Sequence, residues 1–271
     1  MPTRTAREIS SAGNSLLKVF RRALAEGTTR QSWLAVEGPF LVEEALRAAP
    51  GVRIHSLLVS KSGAEKFSHL LKLLPAEAET VQVADRLFAQ VAQTQTPQGV
   101  AALVELPPPD LEQLLVRRDA VMLVACGVQD PGNLGTMLRS AQAFGATALL
   151  TLKDTVSPFN PKAVRSSAGA IFRLPVVPGL EAGTLFELLR KRGIRLLAAD
   201  RRSPSSLAQA DLRAPLAILV GREATGLPPE ISQEAQQFLS IPICPGMDSV
   251  NAATAASIFL YEAARQRGFK Y

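Results

Sequence analysis

Three consecutive prolines, Pro107-Pro108-Pro109, interrupt a chain that otherwise alternates between strand-like and helix-like runs. Such a run cannot lie inside a helix or a central strand, because each proline fixes φ and removes a backbone donor. It extends instead as a stiff polyproline II spacer. The 271 residues therefore divide into two parts, each of which must bury its own apolar residues.

The apolar periodicity fills in both parts. Before the prolines, strands are predicted at Trp33–Val36, Ile54–Val59, Val81–Val83 and Val100–Val104. Helices are predicted at Leu16–Ala25, Phe40–Ala48 and Asp85–Val91. This reads as a small α/β domain over 31–106, preceded by a basic extension and helix over 1–30. Residues 107–117 read as a Pro-rich linker. From 118 to 271 the alternation is longer. Ala120–Ala125 is a continuous apolar run suited to a buried parallel strand. Further strands are predicted at Ala148–Leu152, Phe172–Val177, Ile194–Ala199, Leu216–Val220 and Phe238–Ile241. Helices are predicted at Leu134–Phe144, Leu185–Arg192 and Ser249–Arg267. Strand and helix in turn imply a parallel sheet covered on both faces.

Composition narrows the function. Hydrophobic residues make up 47% and charged residues 20%, which supplies a core and excludes a wholly disordered chain. No run reaches the ~18 apolar residues of a membrane span. The first residues lack the apolar stretch of a secretory leader, so a reduced, cytoplasmic protein is expected. Two cysteines (Cys126, Cys244) and two histidines (His55, His69) are too few for a disulfide framework or a zinc cage. The net charge of +6 favours polyanionic partners such as nucleic acid. Residues 1–30 hold Arg4, Arg7, Lys18, Arg21, Arg22 and Arg30 against Glu8 and Glu26. That segment is either a solvated helix face or an RNA-contacting arm.

In an open α/β sheet, ligands bind beyond the carboxyl ends of the strands. Three loops fall at such places. Asp130-Pro131-Gly132-Asn133-Leu134-Gly135 leads into a helix bearing Arg139; Gly221 to Leu227 follows a strand; Ile241 to Asn251 opens the last helix. Taken singly, each is explained by helix caps and chain terminators. A G-x-G-x-x-G dinucleotide fingerprint, a phosphate-binding G-x-x-x-x-G-K-[ST] loop and a G-x-S-x-G elbow are all missing from the sequence.

Taken together, in order and spacing, the loops resemble the three signature motifs of the SpoU/TrmH family of 2′-O-ribose RNA methyltransferases, within the SPOUT superfamily. Asn133 to Ala141 is similar to N-x-G-x-x-x-R-[ST]-A. Gly221-Arg222-Glu223-Ala224-Thr225-Gly226-Leu227 is similar to G-x-E-x-x-G-[LM]. Ile241-Pro242-Ile243 through Gly246, Ser249, Val250 and Asn251 is similar to I-P-M-x-G-x-x-x-S-L-N. Val250 and Ile243 depart from the leucine and methionine usual there, but both remain apolar and near in volume. The N-terminal part, including Val36-Glu37-Gly38, resembles the family's L30e-like substrate-binding domain.

The resemblance implies a trefoil-knotted α/β domain that binds S-adenosylmethionine, with Gly221, Ile241 and Val250 touching the cofactor. It assigns activation of the ribose 2′-hydroxyl to Arg139. Arginine is a poor base, so stabilising the developing alkoxide or orienting a phosphate is the easier role. Glu223 would fix Asn133 or Arg139, and Ser249 and Asn251 would reach the target nucleotide. The implied substrate is ribosomal RNA, with transfer RNA or a non-catalytic assembly role as alternatives, and no metal. A homodimer through the C-terminal domain is also implied, with Arg139 acting within its own chain or, as is common in the family, from the neighbouring one. Ala252, Ala253, Ala255 and Ala256 of the last helix would allow close approach there.

Overall fold

Two sheets organise the residues described by the computed structural model, which are 6–48, 50–223 and 225–269. Arg4 of the basic segment and Ala224 of the second loop lie outside them. The chain divides between Pro108 and Pro109, and the first unit also takes in Phe159–Arg165.

The first unit contains β1 (Arg7–Ile9), α1 (Ser15–Glu26), β2 (Leu34–Glu37), α2 (Pro39–Leu46), β3 (Arg53–Ser60), α3 (Lys61–Lys66), α4 (Ser68–Leu73), β4 (Glu79–Val83), α5 (Asp85–Ala89) and β5 (Val100–Glu105). The strands run in the order β1-β4-β3-β5-β2, parallel from β1 to β3, with β5 antiparallel to β3 and β2. Helix α1 forms because Asn14 accepts the Leu16 N–H at its start, while Leu17, Phe20, Ala23 and Leu24 place one apolar face on the sheet. It ends at Gly27, at φ +100°, where a Cβ would also collide with the Phe159 carbonyl. Glu37 is buried at the end of β2, where it accepts the Gln93 N–H at 2.8 Å and holds the loop leading into β5.

The second unit contains α6 (Leu111–Leu115), β6 (Val121–Ala125), α7 (Pro131–Ala143), β7 (Ala148–Leu152), the end of α8 (Pro161–Ser166), β8 (Val176–Leu180), α9 (Ala182–Lys191), β9 (Arg195–Ala199), β10 (Leu216–Val220), α10 (Pro229–Ser232), β11 (Gln237–Leu239) and α11 (Ala252–Gln266). All its strand pairings are parallel, in the order β11-β9-β10-β6-β7-β8. Every residue of β6, β7 and β10 is buried, as the unbroken apolar runs require. On one face Leu185, Phe186 and Leu189 of α9 close the core; Phe186 alone is worth about 1.5–3 kcal/mol of burial. Helix α11 packs on α7, β10 and β9.

Several expectations need correction. Residues 6–30 are not an extension. Strand β1 pairs with β4, α1 fills the first core, and Arg7, Arg21 and Arg22 are held by Glu79, the Gln90 carbonyl and Glu26. The 107–117 linker contains a helix, because Asp110 caps α6 and Leu114 and Leu115 are buried. Phe172 lies in a 3₁₀ turn, and the strand starts at Val176, beyond Pro175. The last helix starts at Ala252, because Asn251 caps it. Of its alanines, Ala253 and Ala256 are buried in this chain's own core, and the half-buried Ala252 and Ala255 line a cavity.

Candidate active site

Strands β6 and β10 lie side by side, yet the chain leaves β6 toward β7 and reaches β10 from the opposite flank. This is a topological switch point, where loops diverge and leave a crevice at the carboxyl ends of the strands. On the β9 side of that point, over the carboxyl ends of β9, β10 and β11, a cavity of about 450 Å³ opens, within the range of small-molecule sites. Its floor is the ends of β9, β10 and β11, at Ala199, Val220 and Leu239. The second and third loops supply its sides through Gly221, Leu227, Ile241 and Val250, and Phe259 of α11 closes the back. Glu223 and Ser249 also reach the wall.

The second loop turns tightly. Arg222 and Gly226 exchange both backbone hydrogen bonds, at 2.9 Å each. That closure brings Gly226 and Leu227 so near Gly221 that a Cβ there would overlap their backbone. Only glycine fits, and its bare backbone faces the cavity.

The three loops are joined by one hydrogen-bond relay. Asn133 Nδ2 donates to Glu223 Oε1 at 2.8 Å, and Asn251 Nδ2 donates to Asn133 Oδ1 at 3.0 Å. Asn251 Oδ1 accepts the Ala253 and Thr254 N–H groups at the start of α11, at 2.8 and 3.3 Å. Both ends fix the polarity. The helix N–H groups claim the Asn251 oxygen, so its NH₂ must point outward, and the Glu223 carboxylate can only accept. Asn133 has one orientation left. Nearby, Ser140 and Ser257 hydroxyls meet at 2.7 Å and tie α7 to α11.

The structure thus gathers Gly221, Glu223, Ile241, Ser249 and Val250 around the cavity and links Asn133 and Asn251 to them. It does not bring Arg139 there. Arg139 stands exposed on α7, with no hydrogen bond or ion pair among the described residues and no part in the cavity wall. Cys126 is buried beside Val220, and burial pushes its thiol far up, so it is no nucleophile. No group of His, Cys, Asp and Glu suited to a metal ion occurs among the described residues.

Sequence reasoning missed the loop after β9. Asp200 and Arg201 line the cavity beside the second and third loops, and Phe238 and Phe259 add aromatic surface. The rule that selected the other loops would have found Asp200 and Arg201, since they follow the carboxyl end of a predicted strand.

Residues 120–261, more than half of the chain, match the model of the SpoU rRNA Methylase family. The chain belongs to that family. Residues 22–102 match a second model, the MRM3-like substrate binding domain, whose start falls within α1. Among curated relatives of the SpoU chain is the 23S rRNA (uridine(2479)-2′-O)-methyltransferase of Streptomyces viridochromogenes. It is 31% identical over 268 residues, covering 91% of this chain and 93% of that protein. The 23S rRNA (guanosine(2553)-2′-O)-methyltransferase RlmP of Bacillus subtilis is 29% identical, covering 94% and 98%. Among solved structures, the SpoU methyltransferase AviRb from Streptomyces viridochromogenes in complex with AdoMet superimposes with a TM-score of 0.83. It is 28% identical and covers 95% of this chain and all of that one.

Proposed function

We propose that this SpoU protein transfers the methyl group of S-adenosylmethionine to a ribose 2′-hydroxyl of ribosomal RNA. The observation that carries this reading is the relay Glu223–Asn133–Asn251, which joins all three motifs and has Glu223 on the cavity wall. The family match and the named activities of the relatives support the reaction and the substrate class.

The cavity suits S-adenosylmethionine in size and in chemistry. Bare backbone at Gly221 and aliphatic walls from Ile241 and Val250 offer close approach and water exclusion. When bound, the cofactor supplies a methyl group on a sulfonium leaving group. The protein's own task is then positioning and charge management. Ser249 offers a hydroxyl to the target nucleotide. Asn133, Glu223 and Asn251 hold the motif loops in one arrangement. Arg139 stabilises the alkoxide that develops at the 2′-oxygen or grips the neighbouring phosphate. The first unit, matched to a substrate-binding model, contributes RNA affinity.

The enzyme is read as a cytoplasmic homodimer joined through the second unit. The support is Arg139, an unpartnered exposed guanidinium outside its own chain's cavity wall, as expected of a group that serves a second copy's cavity. Mixing Arg139→Ala and Glu223→Ala subunits tests this, because a mixed dimer with Arg139 acting across the interface contains one intact site. Mapping 2′-O-methylation across total RNA in cells with and without the protein tests the whole reading. Loss of a methyl group at a ribosomal RNA ribose is expected. Unchanged ribosomal RNA would refute the reading.

A further inference from the structure

The third loop is exposed from Pro242 to Ser249 and has little to hold it. One internal bond, Met247 N–H to the Cys244 carbonyl at 3.3 Å, shapes its tip. Among the described residues, one hydrogen bond ties the stretch 242–250 to another part of the fold. Arg201 Nη1 donates to the Asp248 carbonyl at 3.2 Å. Arg201 itself rides on a fixed platform. Its neighbour Asp200 donates its N–H to the Leu239 carbonyl at 3.0 Å, and Ser203 Oγ donates to the Phe238 carbonyl at 2.8 Å. Asp200 also takes the Arg202 N–H at 2.9 Å, and Ser240 N–H bonds the Ser205 carbonyl at 2.9 Å. The loop after β9 is thereby built onto β11 and its exit.

The Asp248 carbonyl and the Ser249 N–H belong to one planar peptide, so fixing the oxygen fixes the direction in which Ser249 leaves. Ser249 and Val250 follow at once on the cavity wall, and Asn251 enters the relay. We propose that Arg201 is a positioning residue of the methyltransferase site, a latch whose guanidinium orients the Asp248–Ser249 peptide and sets how the third loop closes on the cavity. Its effect on cofactor affinity rests on the reading that this cavity holds S-adenosylmethionine; its effect on the loop does not.

The test uses the full chain and three variants: Arg201→Ala, Arg201→Lys and, as a charge control, Arg213→Ala, which loses only a guanidinium paired to Asp211 in another loop. Backbone N–H order parameters of 246–250 are measured by NMR relaxation without ligand, and S-adenosylmethionine affinity is measured by calorimetry. Loss of a charge-assisted hydrogen bond should lower those order parameters from about 0.85, typical of rigid backbone, toward about 0.6, typical of a flexible loop, and weaken cofactor binding about tenfold. The melting temperature should fall by no more than about 3–6 °C, the shift that a tenfold effect allows in a domain of this size. In steady-state assays the KM for S-adenosylmethionine should rise more than kcat falls. Arg201→Lys should recover part of each effect, and Arg213→Ala should match the parent. Unchanged order parameters in Arg201→Ala, or an equal loss of affinity in Arg213→Ala, would overturn the latch. A parent protein that binds no S-adenosylmethionine would instead defeat the proposed function, while the relaxation data would still decide for or against the latch.

Discussion

Replacing Asn133 by aspartate sets two carboxylates against each other where an amide now donates to Glu223 at 2.8 Å. At that separation the repulsion is about 1.5 kcal/mol at the dielectric of water and about 6 kcal/mol at an effective value of 20. Glu223 is exposed, so the water end of that range applies. Adding about 1 kcal/mol for the lost hydrogen bond gives a destabilisation of about 2–3 kcal/mol. In a domain of this size that lowers the melting temperature by roughly 5–10 °C. Asn133→Ala loses the bonds without adding a charge and should cost only about 1 kcal/mol.

Two further measurements separate the relay from a general packing defect. The double variant Asn133→Asp with Glu223→Gln should regain most of the loss. The glutamine amide can donate to the new carboxylate, whose other oxygen still accepts from Asn251. The repulsion also gives the penalty a pH sign. Crowding two carboxylates raises their proton affinity in the folded variant above that in the unfolded chain. The penalty is therefore absent at low pH, where one carboxylate keeps its proton, and grows as pH rises through the raised value. Thermal unfolding of all four proteins at pH 7.5 and near pH 4.5 provides the cycle. The relay would be refuted if Asn133→Asp were no worse than Asn133→Ala at neutral pH and the double variant gained nothing.

Gly221→Ala should cost about 1–3 kcal/mol and weaken S-adenosylmethionine binding in calorimetry, because a Cβ there overlaps backbone. Gly226→Ala has open space but a φ of +72°, and should cost about 1–2 kcal/mol with a smaller effect on binding. Arg267 donates to the carbonyls of Leu212, Asp119 and Ala214 at 3.0, 2.7 and 2.6 Å. Arg267→Ala should destabilise by about 2–3 kcal/mol in denaturant titrations without changing cofactor affinity, since these bonds lie at the amino ends of β6 and β10. The Ser60 and Ser62 hydroxyls hold the Asp85 carboxyl below the usual carboxylate range. A lowered folded-state value stabilises above the unfolded one and is lost as pH falls through the folded one. Ser62→Ala should therefore raise the Asp85 titration midpoint, read by NMR, and its stability difference from the parent should vanish in acid.

The catalytic sheet was legible because burial writes plainly on parallel strands. The runs ending at Ala125, Leu152 and Val220 are apolar throughout, and the strands occupy nearly the residues expected. Strand β1 was invisible for the opposite reason: only Ile9 of its three residues is buried, and its register comes from pairing with β4. The basic residues of 1–30 looked like a free arm because charge counts do not reveal partners such as Glu79, 72 residues away. In the site, motif spacing located Asn133, Glu223 and Asn251, and of the two partners expected for Glu223 the structure pairs it with Asn133; the further link from Asn133 to Asn251 was not legible, because spacing does not show which amides meet. Asp200 and Arg201 carry no motif; they follow the expected strand Ile194–Ala199, and the strand order that sets β9 beside β10 brings them to the cavity.

The first unit is discontinuous in sequence, since Phe159–Arg165 belongs to it although fifty residues of the second unit intervene, Pro109–Pro158. That arrangement has a consequence for biosynthesis. When Pro108 leaves the ribosome, the sheet β1-β4-β3-β5-β2 can form, but the segment whose Phe159 carbonyl lies against Gly27 has not yet been made. The N-terminal half therefore cannot mature strictly before the other, the usual vectorial order of a two-domain chain. Its completion waits until β6, α7 and β7 have also emerged. A nascent chain stalled between Pro108 and Phe159 should be more open to protease than the same residues in the released protein, and severing the chain at the triple proline would leave the first unit without Phe159–Arg165 while the second kept all of its own residues.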